Sequence, residues 1–303
     1  MLGGTGMISA VDRLPTASFT TDEAGLRSHA ERIETFIVET VVEAGADGVV
    51  VGMSGGVDST LTATLAVEAL GPDRVTALVL PSLGSGDRHI EDAEAAAAAL
   101  GLDATTVGIR PLVDMFEDVV APQVGDDTDD PALDNATARL RMTCLYYAAN
   151  HLGRLVVGTS NRTELLCGYC TKHGDAAADL RPLAGLYKTE VRALASQVGV
   201  PSPIIRKPST ADFRPGQTDE ADLGAPYGLL DIILHELVDE NLGIEGTADE
   251  LGLDPETIAD YADRHLDSRH KRRQPPSPSF ERSLEGELFH ELEHTTDRSE
   301  TRS

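Results

Sequence analysis

The chain of 303 residues has no tryptophan, six phenylalanines, six tyrosines and four lysines: Lys172, Lys188, Lys207 and Lys271. So few aromatic residues leave the core to aliphatic side chains, and a hydrophobic content of 41% is ample for a globular domain of this length. No apolar run reaches the ~18 residues that a membrane span would need. The N-terminus also lacks the basic-then-apolar order of a secretory signal, so a soluble, cytoplasmic protein without membrane partners is expected. Cysteine is scarce as well. Cys144, Cys167 and Cys170 are too few to staple a fold, and the single C-x-x-C of Cys167 and Cys170 has no second ligand pair at zinc spacing. Half-buried thiols in a reducing compartment are expected, with redox or sulfur chemistry as the alternative. Basic residues are outnumbered, 25 against 51 acidic, for a net charge of −26. That balance argues against a nucleic-acid partner, because such binding depends on basic groups displacing counterions. The acidic, lysine-poor composition resembles that of salt-adapted, halophilic proteins and bears on solubility, not on fold.

What is present is a regular alternation. Ile33, Phe36, Ile37, Val41 and Val42 recur at helical spacing within 21–45, with Thr20 or Thr21 available as a cap. "DGVVVGM" from Asp47 is a short continuous apolar run, as expected of a parallel strand covered on both faces. A helix is expected over 59–70, a strand over 74–80, an alanine-rich helix over 89–100, a short strand over 105–109, a helix over 135–150 and a strand over 154–159. Residues 124–134 read as an acidic loop, and 201–217 as a proline-rich mobile segment. Helices return over 227–240 and 254–268. The fold class is therefore α/β: a doubly wound parallel sheet with flanking helices, Rossmann-like. Residues 1–20 read as a flexible leader in which Met7 is a second candidate start. Residues 21–274 form one domain, and 275–303 form an acidic, disordered tail.

The densest motif is "GMSGGVDS", Gly52 to Ser59, between a buried strand and a helix. Its first five residues match G-x-S-x-G, the elbow that presents a nucleophilic serine, but no oxyanion loop precedes Ser54. The alternative is a phosphate loop: Gly55 and Gly56 bring backbone N–H groups close, and the following helix adds its dipole. No lysine follows the glycines as it would in a Walker loop. Asp58 inside an anion-binding loop calls for a cation such as Mg²⁺ between it and the phosphates.

"SGGVDS" resembles the signature of the ATP pyrophosphatases, which split ATP between its α and β phosphates. Further blocks follow in order: "NATARLRM" from Asn135, "GTSNRTE" from Gly158, "GYCTKHGDAAADLRPL" from Gly168, "LYKTEV" from Leu186, "PGQTDEADLGAPY" from Pro215 and "HKRRQPPSPSF" from His270. Together they resemble ammonia-dependent NAD synthetases over about 21–280. The resemblance implies an adenine-nucleotide α-hydrolase-like fold and a C–N ligase that converts ATP, deamido-NAD and ammonia to NAD, AMP and pyrophosphate through an acyl adenylate. A homodimer is implied as well.

By the same resemblance, Asp58 and Glu164 hold Mg²⁺, and Gly52, Met53, Ser54, Gly55, Gly56, Val57, Asp58 and Ser59 cradle the phosphates. Thr159, Lys188 and Thr210 contact ATP; Arg139, Lys172, Asp179, His270 and Lys271 bind deamido-NAD; Asp58, Lys188 and Asp175 serve catalysis, Asp175 by placing ammonia. Solvated helix charges are the alternative reading for Arg139 and Arg141, and a helix C-terminal charge cluster that for His270 and Lys271. The segment "TADFRPGQTDE" is shorter than the family's, which leaves Ser209 as a rival to Thr210. A glutaminase domain would need roughly another domain's length, so free ammonia is the expected donor. Cys167 and Cys170 keep a tRNA-thiolating relative open, and a non-catalytic nucleotide-binding regulator is the remaining alternative.

Overall fold

The computed structural model describes residues 19–82, 87–124, 130–214 and 216–278. The chain divides into two compact units, Met1–Lys271 and Arg272–Ser303. The second is described only over 272–278, a bend followed by backbone without regular secondary structure. The expected leader up to residue 18, the centre of the acidic loop (125–129) and the tail from 279 lie outside the described residues.

The first unit is built on β1 (Val49–Gly52), β2 (Val75–Val79), β3 (Thr105–Thr106) and β4 (Leu155–Val157). All pairings are parallel, in the order β3-β2-β1-β4, with Val49 opposite both Val75 and Leu155. Val49, Val50 and Val51 are wholly buried, which is why β1 reads as a continuous apolar run and not as an alternating one. One face is covered by α1 (Glu23–Glu43), α2 (Val57–Leu70), α3 (Asp87–Ala99) and later α7 (Lys188–Gln197); these share a core of Ile37, Val41, Leu61, Leu65, Ala97 and Leu194. The other face carries α4 (Arg110–Met115) and the long α5 (Asp130–Leu152), with Val50, Ile109, Val113, Leu145 and Val156 between them. A separate apolar cluster joins α6 (Arg162–Cys167) to α8 (Tyr227–Leu234), α9 (Gly243–Leu251) and α10 (Pro255–Asp267).

The alternation expected from sequence is present, with corrections. Asp22, not Thr20 or Thr21, caps α1, its carboxylate accepting from Gly25 N at 3.0 Å. Phe19 and Thr20, counted with the leader, are held in place: Phe19 packs edge-on against Tyr187 and His235, and Thr20 N donates to Glu190. Helix α5 begins at Asp130, inside the expected loop, and β3 is only two residues long, Thr105–Thr106. Helices α7 and α9 were not foreseen. The first follows directly on a loop, and the second has only Ala248 and Leu251 as buried apolar residues. Beyond α8 a π-helical turn, His235–Asp239, replaces the expected continuous α-helix. The proline-rich segment contains one short helix, Ser202–Arg206.

Candidate active site

In this strand order the chain moves outward from β1 to β3 and then returns to the opposite side of β1 as β4. The crevice beyond the carboxyl ends of β1 and β4 is the switch point at which open α/β sheets bind ligands. A cavity of about 620 Å³ opens there, lined from both sides and by residues 207–214 and Gln217.

The β1 side is the glycine loop. Gly55 adopts φ +72°, and a Cβ there would stand 2.6 Å from the His89 carbonyl oxygen, so the loop closes onto the start of α3 only with glycine. Ser54 Oγ lies 3.0 Å from Ser59 Oγ and accepts from Gly56 N at 3.3 Å. These partners form a hydroxyl pair that shapes a turn; the Ser54 hydroxyl is not presented to an imidazole base, as the elbow of a serine hydrolase requires. Helix α2 then presents its N-terminus to the cavity, with Asp58 in its first turn.

Opposite it, the chain leaves β4 through Thr159, and Asn161 caps α6. Asn161 is wholly buried and binds three ways: its Oδ1 accepts from Glu164 N at 3.0 Å, its N donates to Glu164 Oε2 at 3.3 Å, and its Nδ2 donates to Asp58 Oδ1 at 2.8 Å. This capping box fixes Glu164 and ties it to the glycine loop across the crevice. The N-x-x-E spacing was its visible signal.

Lys188, 1% exposed, brings Nζ to 2.6 Å from Asp58 Oδ2 and 3.2 Å from Glu164 Oε1, with the Tyr227 ring centroid 4.8 Å away. Burial alone would lower its pKa, but the two carboxylates outweigh burial and raise it, so it remains an ammonium. Burial pushes the Glu164 carboxyl up to about 7; Lys188 opposes this, while Asp58 and Asp219 add to it. Under Lys188 lies Asp231, wholly buried. It accepts from Thr163 Oγ1, from Thr189 N at 2.8 Å and from Thr189 Oγ1 at 2.6 Å, while Thr163 Oγ1 accepts from Lys188 N at 3.0 Å.

Asp58 and Glu164 thus hold one cation jointly beside the phosphate loop. Among the described residues no three His, Cys, Asp or Glu side chains form a closed metal cage. Two carboxylates with the remaining positions left to phosphates and water fit Mg²⁺ better than they fit zinc or calcium.

At the far end of the cavity Asp175 Oδ1 accepts from Thr171 N at 2.8 Å, and burial raises its carboxyl above the usual range. Lys271 Nζ donates to the carbonyls of Gly168 and Cys170 at 2.7 and 2.8 Å. Cys170 lines the cavity, but burial, with Asp175 adding, pushes its thiol up to about 12. Cys167 is buried in the helical cluster.

The cavity brings together Gly52, Met53, Ser54, Gly56, Val57, Asp58, Ser59, Thr159, Glu164, Asp175, Lys188, Thr210 and Lys271, and also the rival Ser209. Gly55 supports the wall without lining it. Arg139, Lys172, Asp179 and His270 do not line it. Arg139 borders a shallow groove on α5, its Nε donating to the Lys172 carbonyl at 3.1 Å. Asp179 accepts from Val156 N at 2.7 Å and from the Tyr146 hydroxyl at 3.2 Å, and His270 is exposed on the turn after α10. Sequence reasoning passed over Asn161, Lys207, Asp219 and Asp231. It also gave Arg141 no role, although its Nε donates to the Leu80 carbonyl at 3.1 Å and its guanidinium lies over the Phe213 ring.

The family model described as NAD synthase matches residues 29–275. Over 271 residues, 89% of this chain and all of the relative, the sequence is 40% identical to the NH(3)-dependent NAD(+) synthetase of Halobacterium salinarum. Among solved structures, the NMN synthetase from Francisella tularensis aligns with a TM-score of 0.72 at 32% identity, covering 84% of this chain and 99% of that one. The NH3-dependent NAD synthetase from Campylobacter jejuni, in complex with nitrate, aligns with a TM-score of 0.69 at 31% identity, with the same coverage of both chains. The thiolating and non-catalytic alternatives find no support in these likenesses. With the family model matching residues 29–275 and a 40% identical relative covered in full, the chain belongs to the NAD synthase family.

Proposed function

We propose that the protein amidates deamido-NAD with ammonia at the expense of ATP, giving NAD, AMP and pyrophosphate. The observation that carries this reading is the buried Lys188, held by one carboxylate from the phosphate loop and one from the opposite wall. A nicotinate carboxylate is a poor acyl donor because oxide would have to leave. Its oxygen attacks the α-phosphorus of ATP, the Pα–O bond to the β-phosphate breaks, and pyrophosphate departs with the bonding electron pair. Ammonia then adds to the activated carbonyl, loses a proton, and AMP leaves.

The loop N–H groups of Gly55 and Gly56 and the α2 dipole hold phosphate oxygens; Ser54, Ser59, Thr159 and Thr210 supply hydroxyls; Lys188 offers a fixed positive charge. Asp58, Glu164, Asp175 and Asp219 make the same cavity acidic, so a polyphosphate needs a divalent cation to enter it. Asp58 and Glu164 would hold Mg²⁺, which supplies charge neutralisation to the phosphates. At the other end Asp175 places the ammonia. Lys271 binds deamido-NAD within the cavity, and Arg139, Lys172, Asp179 and His270 bind the part that extends out of it.

The protein is proposed to work as a homodimer. Leu112, Met115, Val119 and Val124 on the α4 side and Tyr147 on α5 expose large apolar side chains, beside the groove bordered by Arg139. Light scattering is expected to give twice the chain mass, and Val119→Glu combined with Tyr147→Glu should give single chains.

The deciding assay is purified protein with ATP, Mg²⁺, ammonium and deamido-NAD, with nicotinate mononucleotide run in parallel as the competing acceptor. NAD and AMP are expected from the dinucleotide. Formation of ADP, or amidation of the mononucleotide only, would overturn the reading.

A further inference from the structure

Of the four lysines, three are accounted for: Lys188 is enclosed by Asp58 and Glu164, Lys271 holds two carbonyls at the far end, and Lys172 lies off the cavity. Lys207 remains. It begins the segment 207–214 that lines the cavity, two residues before Ser209 and three before Thr210. Its Nζ lies 2.6 Å from Asp92 Oδ2 on α3 and 3.5 Å from the Gly55 carbonyl. Asp92 is itself packed on the glycine loop, since a Cβ at Gly55 would stand 3.1 Å from the Asp92 Cβ. The Lys207 ammonium is thus at the glycine loop, and its partner is a partly solvated carboxylate.

We propose that Lys207 is the cation that takes the terminal phosphates of ATP, exchanging Asp92 for pyrophosphate oxygens as the nucleotide binds. The inference rests on the ATP-splitting reading above and adds a residue to it. The exchange is favourable because a phosphate carries more charge and more acceptor oxygens than the one partly buried carboxylate it replaces. It also matters for the chemistry. As the Pα–O bond breaks, negative charge accumulates on the departing β-phosphate oxygens, and the Lys188 charge is already shared with Asp58 and Glu164. A second ammonium at Gly55 stabilises the leaving group, and Asp92 takes the ammonium back when pyrophosphate departs.

The test measures pyrophosphate binding by calorimetry, and KM for ATP and for deamido-NAD, in the wild type, Lys207→Gln and Asp92→Asn. Lys207→Gln should weaken pyrophosphate binding and raise KM for ATP about tenfold or more, with KM for deamido-NAD unmoved. Asp92→Asn removes the competing anion and should tighten pyrophosphate binding several-fold. Unchanged pyrophosphate binding in Lys207→Gln, or unchanged or weaker binding in Asp92→Asn, would overturn the proposal. Should Lys207→Gln fail to fold, as judged by circular dichroism, Asp92→Asn decides alone by the same criterion. Pyrophosphate binding is read without deamido-NAD. A wild type that makes no NAD therefore refutes the parent reading, whereas an active wild type with insensitive variants refutes only this one.

Discussion

A lysine ammonium at 1% exposure stands only if its neighbours replace the water it lost, and at Lys188 two carboxylates and an aromatic face do so. Its backbone needs holding as well, and that falls to Asp231. Through Thr163 and Thr189, this carboxylate fixes the first turn of α7 so that Lys188 points into the crevice. An asparagine at 231 has one acceptor oxygen where three donors now converge. Asp231→Asn is therefore expected to lower kcat about tenfold with KM for deamido-NAD unchanged, and to cost ~1–3 kcal/mol in urea unfolding. A loss of stability with kcat intact would mean that Asp231 serves the fold alone. Asp58, Glu164 and Lys188 were legible in the sequence because each sits inside a recognisable block. Asp231 and Lys207 were not, because they act on partners 42 and 115 residues away and carry no local signature.

Among the elements, those with a complete apolar pattern were legible: β1, α1, α2 and α5 follow from their valine run or helical spacing. Helix α7 escaped notice because two of the five residues on its buried face are charged: Lys188 and Glu190 are buried together with Val191, Leu194 and Ala195. Tertiary contacts, not periodicity, make it a helix. The join between α6 and the turn after α10 is a second case in which position outweighs pattern. Gly168 closes α6 in the left-handed region at φ +66°, and a Cβ there would stand 2.0 Å from the Ser268 Cβ. Gly168→Ala is expected to cost about 2–4 kcal/mol, the sum of backbone strain and overpacking. Adding Ser268→Gly should recover the overpacking share and leave the strain. Equal unfolding midpoints for Gly168→Ala and the wild type would show that the two segments are not held against each other.

At the scale of the whole molecule, the charge is the property that packing does not explain. The 51 acidic residues face 25 basic ones, so even complete pairing would leave an excess of 26 negative charges. The apolar core of the first unit must hold against that repulsion. Salt acts in two opposing ways: it weakens the exposed ion pairs, such as Arg27–Glu23, and it screens the unpaired carboxylates from one another. Exposed pairs contribute ~0–1 kcal/mol each, whereas the repulsion is shared by every excess charge within a Debye length, so the second effect should win. The melting temperature is therefore expected to rise as potassium chloride increases from ~0.01 M, where the Debye length is ~30 Å, to ~1 M, where it is ~3 Å. Most of the rise should fall in the lower part of that range, where the Debye length changes most; a gain from preferential exclusion of salt would instead keep growing at high concentration. Thermal melts followed by circular dichroism across the series separate these outcomes. A melting temperature that is flat or falls at low salt would mean that the carboxylates are spaced widely enough for repulsion to be negligible.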